Sequence, residues 1–133
     1  MPLIIEIKTQ PQKDHRYPTL GDYVGHERLR FIQVSEMGNA KYEFLVAYHE
    51  LTEQAYCLEH GIPEESITAW DVEYEKNRKP GDDSEPGAQL DCPYYEAHQF
   101  ASKMEKIMCE ALRLDWNTYD RFLNEYISKN MGV

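Results

Sequence analysis

Apolar residues recur at every second position in two N-terminal stretches and at every third or fourth position over most of the remaining chain. That change of period predicts strands first and helices afterwards. Residues 3–9, LIIEIKT, are β-branched and partly alternating, which predicts a strand. Residues 11–22 carry two prolines and a glycine and read as a loop. In RLRFIQVS, residues 28–35, Leu29, Phe31 and Gln33 fall on one side and Arg30, Ile32 and Val34 on the other. This predicts a second strand, placed at a sheet edge where its arginines stay wet. A short strand around Tyr23–Val24, with a turn at residues 26–28, completes the expected small antiparallel sheet.

The helical period begins after EMGNA, residues 36–40, where Asn39 is placed to cap a helix running from Ala40 to His60. Tyr42, Leu45, Val46, His49, Glu53 and Tyr56 share its inward face, and Gly61 stops it. Pro63, Glu64 and Glu65 open a second helix, with Ile67, Trp70, Asp71 and Tyr74 on one side. Residues 77–93 hold three prolines, two glycines and four acids, which predicts a long mobile loop. A third helix is expected over 94–115, with Ala97, Ala101, Met104, Met108 and Leu112 as its core stripe. Asp115 caps a fourth, whose apolar side is Trp116, Tyr119, Phe122, Leu123 and Tyr126. Strands segregated from about four helices in 133 residues predict a single α+β domain, 1–133.

The net charge of −10 excludes a general nucleic-acid binder, which needs a basic stripe, and disfavours docking on an anionic membrane. Cys57, Cys92 and Cys109 are an odd set without CxxC spacing, so reduced thiols and a cytoplasmic location are expected. The N-terminal MPLIIEIKTQPQK has too short an apolar run for a signal peptide. Neither GxGxxG nor GxxxxGK occurs, and the acidic 81–87 segment lacks the ligand spacing of a calcium loop.

One stretch carries chemistry. In LVAYHELTEQAY, residues 45–56, His49 and Glu53 stand one helical turn apart on one face. An imidazole nitrogen and a carboxylate oxygen so placed can hold one metal ion, each about 2 Å from zinc. Glu50 adjoins them and is positioned to take a proton from activated water. A third ligand is available in YYEAHQFASKME: His98, with Glu105 seven residues on along the same face and Glu96 as the other candidate. Two histidines and a carboxylate form a set that catalytic zinc uses, and manganese or iron accept the same donors. Asp71 is a candidate partner for an imidazole. A buried His49–Glu53 hydrogen bond without metal, a solvated Glu105 and a His98 packed on Tyr94 or Tyr95 are the plainer expectations.

HELTE in an apolar helix, after an alternating strand and a short MGN break, resembles the core of the zincin metallopeptidases over roughly residues 28–57. In that family the helix reads HExxH; His49 matches the first histidine and Glu50 the general base, while Glu53 stands at the second-histidine position. The resemblance implies a zincin-like metal-dependent hydrolase of peptide or amide bonds, with His49, Glu53 and His98 holding zinc, Glu50 as base and a peptide or protein as substrate. The pattern also resembles that of small phage- or prophage-encoded proteins. From another class, the charge suits a non-catalytic acidic binding protein, such as a phage accessory factor on a basic partner surface. Glu50 and Glu53 also form an ExxE pair similar to that of helical nucleotide pyrophosphatases, but Asp71, Glu73 and Glu75 do not supply the second acidic pair that family needs.

Overall fold

The computed structural model describes residues 1–131. Three strands, β1 (Ile4–Gln10), β2 (Gly21–His26) and β3 (Leu29–Ser35), precede four helices, α1 (Ala40–Glu59), α2 (Glu64–Lys76), α3 (Tyr95–Ala111) and α4 (Trp116–Asn130). The α+β segregation expected from the two periods is therefore present.

The sheet order is β1-β3-β2. β2 and β3 form an antiparallel hairpin, with Tyr23 opposite Ile32. β1 instead runs parallel to β3, with Ile7 beside Ile32, so the sheet is mixed rather than wholly antiparallel. β3 is the central strand and not an edge. The reason lies in its inward residues: Ile32 and Val34 are fully buried, a state that needs neighbours on both sides as well as a helix above. The arginines stay partly exposed because they sit toward the open end of the strand, where Arg30 reaches the Glu27 carbonyl.

α1 lies across the face made by β2 and β3 and packs along its length against α3. Its N-terminus is capped as the sequence predicts: Tyr42 N–H donates to Asn39 Oδ1 at 3.1 Å. Leu45, Val46, Ala47 and Cys57 join Tyr23, Ile32, Val34, Ala97, Cys109 and Tyr119 in one core. Asp115 caps α4, accepting from Thr118 N–H at 2.8 Å.

The inward stripe of α3 differs from the expected one. Ala97, Ala101, Glu105 and Cys109 are buried, Met104 and Met108 are half-buried, and Leu112 is exposed just past the helix end. Small residues at every fourth position let α3 approach α1 closely, and that approach turns Glu105 inward. The 77–93 segment, expected as a long mobile loop, holds one 3-10 turn, Pro86–Ala88, and makes hydrogen bonds to α2 and within itself. Trp70 Nε1 donates to the Pro86 carbonyl at 3.0 Å, and Arg78 Nη2 donates to the Ser84 carbonyl at 2.9 Å.

No helix of the described residues is long and apolar enough to cross a membrane. Replacing Asn39 by Ala removes the α1 cap and should lower stability by about 1 kcal/mol, read from the midpoint of a urea unfolding curve.

Candidate metal centre

α1 presents His49 and Glu53, and α3 presents His98 and Glu105, across the gap that their small residues leave. The two imidazoles meet edge to face, with ring centroids 5.0 Å apart and planes inclined by 63°. Between them lies the Glu53 carboxylate. His49 Nε2 is 3.0 Å and His98 Nδ1 is 3.1 Å from the same oxygen, Glu53 Oε2. The second Glu53 oxygen accepts from the Tyr23 hydroxyl at 2.9 Å. His49 and Glu53 are almost wholly buried, and the His98 side chain is 12% exposed.

The outward nitrogens are also engaged. His49 Nδ1 is 2.7 Å from Glu105 Oε1, and His98 Nε2 is 2.6 Å from Glu85 Oε2. Glu105 is held in turn by Tyr119, whose hydroxyl donates to Oε2 at 2.6 Å. The result is a continuous chain, Tyr119–Glu105–His49–Glu53–His98–Glu85, in which every imidazole stands between two carboxylates.

An ionised carboxylate only accepts hydrogen bonds, so an imidazole that bonds one through each nitrogen is doubly protonated. Burial opposes the charge on His49, but the bonds to Glu105 and Glu53 outweigh it and raise its pKa well above 6.5. For His98, burial likewise lowers and the bonds to Glu53 and Glu85 raise, leaving it at about 9. Burial pushes Glu53 up, yet the two imidazoles hold it at about 2. Glu50 has no hydrogen bond among the described residues and lines the same cavity as the two histidines. Burial, with the negative Glu53 beside it, raises Glu50 well above its ordinary 4.5.

Two glycines permit these approaches. A Cβ on Gly21 of β2 would stand 2.7 Å from Glu50 Cγ. A Cβ on Gly87 would stand 2.7 Å from His98 Cγ and 2.9 Å from His98 Nδ1. The 77–93 segment thus rests its turn on one imidazole and pairs with that ring through Glu85. Beside the chain lies a cavity of about 170 Å³, bordered by Tyr17, Gly21, Glu50, Glu53, Tyr94 and His98.

His49, Glu53 and His98, the three expected ligands, offer atoms that all lie within 4.8 Å of one another. Ligand atoms about 2 Å from one tetrahedral ion stand about 3.3 Å apart; the two N···O separations, 3.0 and 3.1 Å, are close to that and are equally those of hydrogen bonds. Glu96 is exposed on α3 and takes no part. Asp71 does not reach an imidazole. It accepts from the hydroxyls of Tyr17, at 2.9 Å, and Tyr94, and burial raises it to about 6. Glu105 is buried against His49 rather than solvated, and the every-fourth-residue run of small side chains around it was a signal in the sequence. Glu85, Tyr23 and Tyr119 carried no such signal. Comparison of the chain with protein-family models, with curated proteins and with solved structures gives no match.

The pH dependence of stability follows from these directions. His98 stands at about 9 against 6.5 when unfolded, so its contribution is complete below pH 6.5 and is lost as pH rises through 9. Glu53 stands at about 2 against 4.5, so its contribution holds above pH 4.5 and is lost as pH falls through 2. Asp71, raised to about 6 from 3.8, adds a loss with rising pH that ends below the histidine window. Urea unfolding of the metal-free protein should therefore show stability falling between pH 6.5 and 9, and less so in His98→Gln. A flat profile across that interval would sink the doubly paired imidazoles.

Proposed function

We propose that this chain is a metal-dependent hydrolase of zincin-like type acting on a peptide or amide bond. His49, Glu53 and His98 are the metal ligands and Glu50 is the base. The single observation that carries the reading is the division of labour in each ring. One nitrogen faces Glu53 Oε2 while the other already meets an outer carboxylate, Glu105 or Glu85. Metal-ligating histidines are oriented in this way. An N–H donated outward leaves the inward lone pair free for a cation.

Charge balance supports the same reading. Glu53, Glu105 and Glu85 bring three negative charges to two rings. Two protons on the imidazoles neutralise part of that charge, and a dication with neutral rings does so equally. Zinc fits the donors, and manganese or iron are the other candidates. A bound ion supplies a water molecule of lowered pKa. Glu50 borders the cavity without a competing hydrogen bond, and a neighbouring dication opposes the burial that raises it, returning it to the ionised form a base requires.

The substrate reading rests on what the cavity lacks. Arg16 is committed to Asp22 at 2.7 Å and 3.0 Å, and Arg78 to Glu75 at 2.8 Å. Among the described residues bordering the cavity the one guanidinium, Arg78, is already paired with Glu75, which favours a neutral amide over an anionic substrate such as a nucleotide. The three cysteines are free and buried, which supports a reducing, cytoplasmic setting.

Elemental analysis of the purified protein should find about one zinc per chain, absent from His49→Ala. Loading the metal-free protein near neutral pH should release about two protons per ion as both imidazoles become neutral, and about one more as Glu50 ionises, so that Glu50→Gln releases about one fewer. Folded protein that refuses zinc, manganese and iron alike overturns the proposal. Glu50→Gln should retain the metal and lose about 100-fold or more in hydrolysis of an amide substrate; normal turnover by that variant removes Glu50 as the base.

A further inference from the structure

β1 differs from the other strands in being exposed on both faces. Ile4, Ile5 and Ile7 are 50%, 40% and 47% exposed. The parallel register with β3 puts Ile5, Ile7 and Thr9 on the same face as the buried Ile32 and Val34, so Ile5 and Ile7 point to the helix side of the sheet. α1 does not reach far enough to cover them. A groove is left between β1 and α1, lined by Ile7, Thr9, Phe44, Ala47, Tyr48 and Leu51. Phe44, on its helical wall, is 48% exposed.

The main chain of β1 is also unpaired along one side. Ile4 N–H donates to the Arg28 carbonyl at 2.8 Å, and the Gln10 carbonyl accepts from Glu36 N–H at 2.9 Å. Even-numbered residues therefore bond to β3, and alternation turns the N–H and C=O groups of Ile5, Ile7 and Thr9 outward. Among the described residues no side chain or backbone group meets them. β-Branched side chains, unpaired amides and an uncovered groove together make an edge that natural sheets ordinarily protect.

We propose that this edge is the interface of a two-fold homodimer, in which β1 pairs antiparallel with β1 of a second copy about Ile7. The charges choose both the occupant and the register. With Ile7 opposite Ile7, Ile5 falls opposite Thr9, and all three outward residues form hydrogen-bonded pairs. Glu6 then falls opposite Lys8 of the second copy, and Lys8 opposite its Glu6, in the closer, non-hydrogen-bonded positions. A slip of one step about Glu6 sets two glutamates face to face, and a slip about Lys8 sets two lysines face to face. Both are disfavoured. Within one chain Lys8 Nζ and Glu6 Oε1 are 3.8 Å apart with both side chains more than half exposed, so each is free to turn to a partner. The strand is thus complementary to itself in one register. The interface joins two three-stranded sheets into one of six strands and brings the Ile7 side chains together beside the Phe44 grooves. It is isologous, as closed two-fold assemblies require.

The test is solution mass by light scattering and sedimentation across a concentration series. The wild-type chain should have twice its 15.7 kDa mass. Glu6→Lys alone, or Lys8→Glu alone, should weaken the dimer about tenfold or more, since each creates two like-charge pairs. The double exchange, Glu6→Lys with Lys8→Glu, should restore association to within about threefold. Thr9→Pro, which removes an outward N–H without touching the β3 ladder, should also weaken the dimer; it serves where a charge variant fails to fold. A chain that stays monomeric at all concentrations overturns the proposal. So does a dimer indifferent to the single exchanges and to Thr9→Pro, or one that the double exchange does not restore. A monomer that instead captures an unrelated extended peptide on β1 overturns the second copy as occupant.

Discussion

The carboxylate of Glu53 is the group on which the interior depends. It is buried, and a bare carboxylate in that position costs several kcal/mol. Two imidazoles and a phenol surround it, and each of these creates a further need. A doubly protonated His49 calls for Glu105, and Glu105 is completed by Tyr119 of α4. His98 calls for Glu85, which lies in the segment between α2 and α3. One buried charge thus ties together α1, α3, α4, β2 and the 77–93 segment through polar contacts that the apolar core alone does not supply.

The same network sets the geometry on which the proposed metal site rests. The inward nitrogens of the two rings and one Glu53 oxygen converge, and whatever occupies the space between them must be positive. Protons on the two rings fill that role, and in the proposed holoprotein a dication would take the same lone pairs. Close packing makes that convergence attainable: Ala97 and Ala101 bring α3 against α1, Gly21 admits Glu50 beneath β2, and Gly87 admits the turn onto His98. Larger side chains at these positions would fill the space with their own carbon atoms.

Much of the fold is legible because hydrophobic period is local. The strand at 3–9, the Asn39 cap, the Gly61 stop and the Asp115 cap each depend on residues within a turn of one another. The face of α3 is less legible. Met104, Met108 and Leu112 are more apolar than Glu105 and Cys109, so a stripe drawn by hydrophobicity turns the helix the wrong way. What settles the rotation is the narrow gap to α1, which admits alanine and cysteine and rewards Glu105 with His49. The sheet order is non-local in the same sense. Alternation marks which residues share a face but is blind to which strand lies beside which, and so to the parallel β1–β3 pairing.

His49 and Glu53 were visible together because four residues of helix place them on one face whatever the rest of the chain does. His98 could be proposed from its chemistry and confirmed as their neighbour only by the packing of α3 on α1. Glu85, Tyr23 and Tyr119 come from a loop, a strand and the last helix, with no spacing relative to His49 that local geometry constrains. The sequence by itself determined the elements, the pair one turn apart and the candidates for its third member. Tertiary structure decided which side chains meet them, because burial and charge neutralisation act between residues far apart in the chain, where no periodicity extends.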